Sequence, residues 1–272
     1  MATHPEPDYI LGTDPDELAR LRTQHETWLP QLRSLVEQVS LADATVLDIG
    51  CGPGFTTIEL ARQVGPGGGV IACDASREFL DHLTREADRL GLGNVEPLRC
   101  KLEDLSLPAE SIDVAYGRWV LSWIDDVESV LRNVRHALRP GGALLLQEYV
   151  DWGRFRVIPR DPAVERAVAA CMASWRTSPG EIDVAERLPE IAKRTGFELR
   201  TFELIARSGR PGDSVWQWIE DFFEVYLPRL VRGGLLTRAE REAWTEHWGR
   251  LSRDPESIAI APVVANVVLV AR

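Results

Sequence analysis

Three glycines at alternate positions, Gly50, Gly52 and Gly54, follow the acid Asp48 in the run Val46-Leu47-Asp48-Ile49-Gly50-Cys51-Gly52-Pro53-Gly54. An apolar run ending in close-set glycines reads as a buried strand that turns sharply, and a helix then opens at Phe55-Thr56-Thr57. Glycine tolerates such a turn and lets bare backbone approach a ligand. The helix adds free N–H groups and the positive end of its dipole. A dinucleotide loop, G-x-G-x-x-G, would place its third glycine at position 55, which is Phe55 here. A second acid, Asp74, ends the next apolar run, where a carboxylate can accept hydrogen bonds from two ribose hydroxyls. The same carboxylate can also cap a helix starting near Ser76. Together these residues imply recognition of a nucleotide-like ligand by carboxylates and bare backbone.

The order D-x-G-x-G-x-G, from Asp48 to Gly54, resembles the cofactor loop of class I S-adenosylmethionine (SAM) dependent methyltransferases. SAM presents an amino group and two ribose hydroxyls where NAD presents a pyrophosphate, so an acid suits it. The resemblance implies SAM as cofactor, S-adenosylhomocysteine (SAH) as product and no metal. Carried over residue by residue, it implies cofactor contacts from Tyr9, Asp48, Gly50, Cys51, Gly52, Gly54, Asp74, Ala75, Leu102, Glu103 and Arg118. The segment Cys100-Lys101-Leu102-Glu103-Asp104-Leu105-Ser106-Leu107-Pro108 is similar to the family's adenine-gripping stretch, G-D-A-x-x-L-P-F. Lys101 stands where an acid is usual, which leaves the Leu102 N–H and either Glu103 or Asp104 for that role. The stretch 116–124, Tyr116-Gly117-Arg118-Trp119-Val120-Leu121-Ser122-Trp123-Ile124, resembles the family segment that touches methionine and walls the acceptor pocket. In this family the N-terminal segment often closes over the cofactor, so Tyr9 and the stretch Arg22, Gln24 and His25 are candidates for a lid. The resemblance covers about residues 45–149 and fades over the N-terminal helix and the C-terminal part.

These residues must be positioned by regular elements, and the pattern predicts them. Continuous apolar strands at 46–49, 70–73, 95–98, 112–116 and 143–149 alternate with helices at 55–64, 76–90 and 126–138. That rhythm is the mark of a parallel sheet covered on both faces. Helices are predicted at 14–39, 161–176, 183–195, 214–231 and 237–251, and strands at 198–205 and 263–270. The expected fold is α/β: a doubly wound, Rossmann-like, seven-stranded sheet with its last strand antiparallel, an N-terminal helix and helical cap insertions. The chain divides into an N-terminal helical lid (1–40), a SAM-binding α/β core (41–150) and the rest of the sheet (151–272). Cap insertions fall at about 151–196 and 210–255.

Methyl transfer from a sulfonium needs orientation and exclusion of water, and a general base only where the acceptor arrives protonated. No catalytic residue follows from the motifs. Glu148, Tyr149 and Asp151 qualify by position at the carboxyl end of a strand, where open α/β sheets bind ligands. Nine tryptophans are present. Trp119, Trp123 and Trp152, with Tyr149, are the expected walls of an acceptor pocket, while Trp216, Trp218, Trp244 and Trp248 are expected to dock the cap. Glu220, Asp221 and Glu224 either attract an amine or form a wet face, and His247 is an outlying candidate.

Composition bounds the rest. With 44% hydrophobic and 27% charged residues the chain is an ordinary globular protein. A formal charge of −11 disfavours nucleic acid, whose binding rests on Lys and Arg. The four cysteines lack metal-ligand spacing and read as thiols in a reducing cytoplasm. The first residues show neither a basic nor an apolar signal region, and no apolar run is long enough to span a bilayer. The expected protein is a cytoplasmic methyltransferase of a small, aromatic or hydrophobic metabolite, with no nucleic-acid or membrane partner and a homodimer left open. Alternatives are a protein or tRNA methyltransferase and a non-catalytic SAM-binding regulatory subunit. A nicotinamide oxidoreductase is disfavoured by the glycine spacing.

Overall fold

The structure is a computed structural model that describes residues 15–176 and 179–272. Tyr9, a predicted lid residue, lies outside them. After helix α1 (Pro15–Val36) comes the alternation β1 (Thr45–Ile49), α2 (Phe55–Val64), β2 (Gly69–Asp74), α3 (Arg77–Leu90) and β3 (Val95–Arg99). It continues through β4 (Ile112–Arg118), α4 (Val127–Ala137) and β5 (Leu138–Asp151). The strands β1 to β5 pair in parallel in the order β3-β2-β1-β4-β5. The sheet is completed by β10 (Val263–Ala271), antiparallel to β5, and β7 (Phe197–Ile205), antiparallel to β10. This is the expected seven-stranded, Rossmann-like sheet, with its last strand antiparallel.

Side-chain alternation explains how the sheet is covered. On β1, Val46 packs with Leu60, Ala61 and Val64 of α2, while Leu47 and Ile49 face the opposite side with Val130, Leu131 and Val134 of α4. Leu32, Leu35 and Val36 of α1 join the α2 side. Two of the helix starts are explained locally. Ser76 caps α3 by accepting the Phe79 N–H, and Asp126 caps α4 through Ser129.

Beyond β5 lie α5 (Pro162–Trp175), α6 (Leu188–Arg194), α7 (Ser214–Arg232) and α8 (Arg238–Leu251). A separate three-stranded sheet, β6 (Arg156–Ile158), β9 (Ile258–Ile260) and β8 (Ser208–Gly209), lies among them and was not expected from sequence. These strands have two or three residues each, too few to show a period. A second difference is the start of β5. Leu138-Arg139-Pro140-Gly141-Gly142 reads as a helix stop and a turn, yet β5 begins at Leu138, which pairs with Ile112 before the register shifts.

The tryptophans of α7 and α8 dock the cap, as their spacing suggests. Trp244 and Trp248 stack with centroids 5.3 Å apart, and Trp216 packs on Trp248 at 4.5 Å. Helix α1 belongs to this assembly as well as to the sheet. Trp28 meets Trp218 edge-on at 5.3 Å, and Gln24 Oε1 accepts a hydrogen bond from the Trp218 indole at 3.2 Å.

Candidate active site

The carboxyl ends of β1, β2, β4 and β5 open onto one cavity of about 540 Å³. Its floor is the glycine loop. Gly50, Gly52 and Gly54 all have positive φ, +63°, +54° and +87°. A Cβ on Gly50 would lie 2.2 Å from Val120 Cγ2, and one on Gly54 would lie 2.3 Å from Leu83 Cδ1. One on Gly52 would meet nothing within 4 Å. Packing therefore excludes side chains at the outer two positions, and Gly52 alone offers bare backbone to open space. Gly54 is the N-cap of α2 and is not part of the cavity lining, so its expected place beside a ligand is replaced by contact with α3.

Two acids frame the loop. Asp48 is 2% exposed and accepts a 2.6 Å hydrogen bond from the Thr57 hydroxyl of α2. Burial pushes its carboxyl up to about 7, against the pull of Thr57 and Arg118. Asp74, half-buried, accepts the Gly52 N–H on one oxygen and the Ser76 N–H on the other, both at 2.8 Å. It therefore ties the glycine loop to the start of α3, and burial raises its pKa against these N–H donors. Both acids line the cavity, as do Gly50, Cys51, Gly52, Ala75, Leu102, Glu103 and Arg118. Lys101 lines it too, at the position where the family pattern has an acid.

Arg118 ends β4 on the α2 face. It donates to Thr56 Oγ1 at 3.1 Å and meets His25 Nδ1 of α1 at 3.3 Å. Burial and the neighbouring guanidinium push His25 down to about 3, so its imidazole is neutral and Nδ1 accepts. Arg20, Leu21 and Gln24 of α1 also line the cavity, making this helix its roof.

The other end of the cavity is aromatic. Trp119, Trp123, Tyr149 and Trp152 line it as expected, and the cap adds Trp175, Ile182 and Phe222. Trp119 holds φ at +51°, a left-handed conformation that is unusual for a bulky residue. Its ring is sandwiched between Tyr149 and Trp218, 5.3 and 5.8 Å away and both tilted by only 12°. Trp123 lies 4.3 Å from Trp175, and Trp152 lies 5.8 Å from Phe222. Trp175 and Phe222 were missed as wall residues because only the folded cap brings them to the sheet. The excess of tryptophan was the one available signal.

Two of the three candidate bases fall outside the cavity. Glu148 is fully buried on the α4 face of β5, where its Oε1 accepts the N–H groups of Val120 and Leu121 at 3.0 and 2.9 Å. Burial pushes it up to about 8 despite these donors. It fixes the turn that carries Trp119 and Trp123. Asp151 pairs with Arg154 at 2.6 Å on the surface. Only Tyr149 reaches the cavity. His247 and the acids of α7 are likewise displaced from the site. His247 joins the α5 cap Asp161 at 2.9 Å, Glu220 accepts the Trp248 indole N–H, and Asp221 accepts from Gln217. Glu224 does not line the cavity. Among the described residues no cluster of three metal-ligating side chains occurs, and no helix is long and apolar enough to cross a membrane.

The family described as Methyltransferase domain matches residues 46–142, from β1 through the glycines of β5. An uncharacterized 37.1 kDa protein in transposon TN4556 of Streptomyces fradiae is 28% identical over 260 residues, 88% of this chain and 72% of that protein. The tRNA 5-carboxymethoxyuridine methyltransferase of Escherichia coli K12 is 36% identical over 106 residues. That match covers 38% of this chain and 40% of the enzyme, so the chain spans about two fifths of that relative's length. Among solved structures, a SAM dependent methyltransferase from Aquifex aeolicus superposes with a TM-score of 0.55 at 22% identity, covering 70% of this chain and 92% of that one. Residues 46–142 are thus a Methyltransferase domain, and the sheet order and glycine loop give it the class I SAM-dependent methyltransferase fold, with SAM as the cofactor of that class.

Proposed function

We propose that the protein methylates a small, aromatic or otherwise apolar metabolite in the cytoplasm. One observation carries this reading. A single cavity of about 540 Å³ runs from the glycine loop to a wall of Trp119, Trp123, Tyr149, Trp152, Trp175 and Phe222, a size and lining typical of a small-molecule site. A large macromolecular acceptor would instead need an open surface. The formal charge of −11 opposes tRNA, despite the tRNA methyltransferase among the relatives. Four free thiols suit a reducing compartment.

The residues present fit the cofactor. In our reading Asp74 takes ribose hydroxyls, the Gly52 backbone lies against the ligand, and the Leu102 N–H meets adenine. Arg118 and Asp48 face the amino-acid portion, and α1 closes the roof. SAM supplies a methyl group on a sulfonium, already activated for displacement. The chain's own contribution is orientation by stacked rings and exclusion of water, since among the described residues the acceptor end holds Tyr149 and Ser122 but no carboxylate. An acceptor that is nucleophilic without help from a base suits such a wall.

A product-formation screen with labelled SAM tests the proposal. Methylation of apolar aromatic compounds, with none of bulk tRNA or protein, is the expected result. Transfer to tRNA alone would replace this reading with the macromolecular one.

A further inference from the structure

Cys73 and Cys100 are far apart in sequence, but β2 and β3 are adjacent parallel strands, and Cys73 is the last residue but one of β2 while Cys100 directly follows β3. The Cys100 N–H donates to the Asp74 carbonyl at 3.2 Å, which holds the two backbones together at this point. Their sulfurs lie 2.7 Å apart, and both thiols are free. A disulfide needs a separation of about 2.05 Å, so closing the bond takes a shift of only about 0.7 Å. Cys73 is buried, whereas Cys100 is half-exposed and lines the cavity beside Lys101 and Leu102.

We propose that Cys73 and Cys100 form a reversible dithiol–disulfide modification site at the cofactor end of the cavity, oxidised by peroxides and shielded by bound cofactor. The two sulfurs differ in the way such a reaction requires. Cys100 is the more exposed of the two, and the hydrogen bond that it shares with Cys73, in which either sulfur can donate, lowers its pKa against burial and the charges of Asp104 and Asp74. Burial raises both Cys51 and Cys171. Cys100 is therefore the attacking thiolate. It takes one peroxide oxygen, breaking the O–O bond to give a sulfenic acid and hydroxide, which is neutralised by the proton Cys100 released. Cys73 then attacks that sulfur. The S–S bond forms, the S–O bond breaks, and the oxygen leaves as water with the Cys73 proton. In sum, two thiols are oxidised to one disulfide and one peroxide is reduced to two waters. Thiol exchange with dithiothreitol reverses the step. A ligand in this end of the cavity covers Cys100, so occupancy slows the first attack.

The full chain treated with hydrogen peroxide, blocked with N-ethylmaleimide and mapped by mass spectrometry tests this. The expected product is a peptide pair linked through Cys73 and Cys100, lost on dithiothreitol treatment. In Cys73→Ala, oxidation should stop at a Cys100 sulfenic acid trapped by dimedone. In Cys100→Ser, neither the link nor the trapped acid should form. SAH at about ten times its Kd should slow formation of the link about tenfold, the factor by which the free protein falls. Direct oxidation of Cys100 to a sulfinic acid without the link, or earlier loss of Cys51 or Cys171, would overturn the site. A rate unchanged by saturating SAH would overturn the shielding. The link itself needs no ligand, so its presence is independent of the acceptor reading.

Discussion

The two ends of the cavity are built in opposite ways. The cofactor end is made of short, consecutive runs at the tips of β1, β2 and β4, and it acts largely through backbone: three positive-φ glycines and the N–H groups that Asp74 binds. The acceptor end is made of rings drawn from the turn after β4, from β5, and from α5 and α7 of the cap. Backbone geometry is set by the sheet, so the first end is the same wherever the sheet is the same. Rings on a cap can be exchanged without disturbing the strands. On the proposed reading, the acceptor preference of this chain is a property of its cap and of the Trp119–Trp123 turn.

The sharpest break should come at the floor. Gly54→Val places a Cβ 2.3 Å from Leu83 at a φ of +87°, so a loss of about 3 kcal/mol or more of stability is expected, readable as a collapse of the thermal midpoint. Asp74→Ala removes the acceptor of two backbone N–H groups and should weaken SAH binding by about 10- to 100-fold in calorimetry. Trp123→Ala should do the reverse, raising the acceptor KM about tenfold while SAH affinity changes by less than about twofold. Equal losses of both ligands in Trp123→Ala would show that the two ends are not separable.

The smallest expected effect tests the support between the ends. In the folded protein Glu148 holds its proton up to about pH 8, against an ordinary value of 4.5. Between these values the native state binds more protons than the unfolded one, so this group's contribution to stability falls as pH rises. Glu148→Gln lacks that dependence. Its stability relative to wild type should rise by about 1 kcal/mol or more across the window, read from denaturant midpoints. A pH-independent difference would mean that Glu148 titrates normally.

The glycine-loop end of the cavity was legible in sequence because its parts are contiguous. Asp48 and the glycines fall within one turn of chain, and Asp74 closes the next strand. The seven-stranded sheet was legible for a related reason: strands buried on both faces are continuous apolar runs. Position alone failed at β5. There Glu148 and Asp151 look like their neighbour Tyr149, yet strand alternation turns Glu148 to the α4 face, and Asp151 closes on Arg154. Trp175, Phe222 and the Cys73–Cys100 pair were invisible for another reason. Each depends on two elements meeting, and no local pattern records that.

A structure with SAH bound decides whether the cavity works as two distinct ends. The expected complex has the ligand's ribose at Asp74, its backbone contacts at Gly52, and its sulfur facing the wall formed by Trp119, Trp123 and Tyr149. A sulfur directed away from that wall, or SAH bound elsewhere than on the glycine loop, would contradict it.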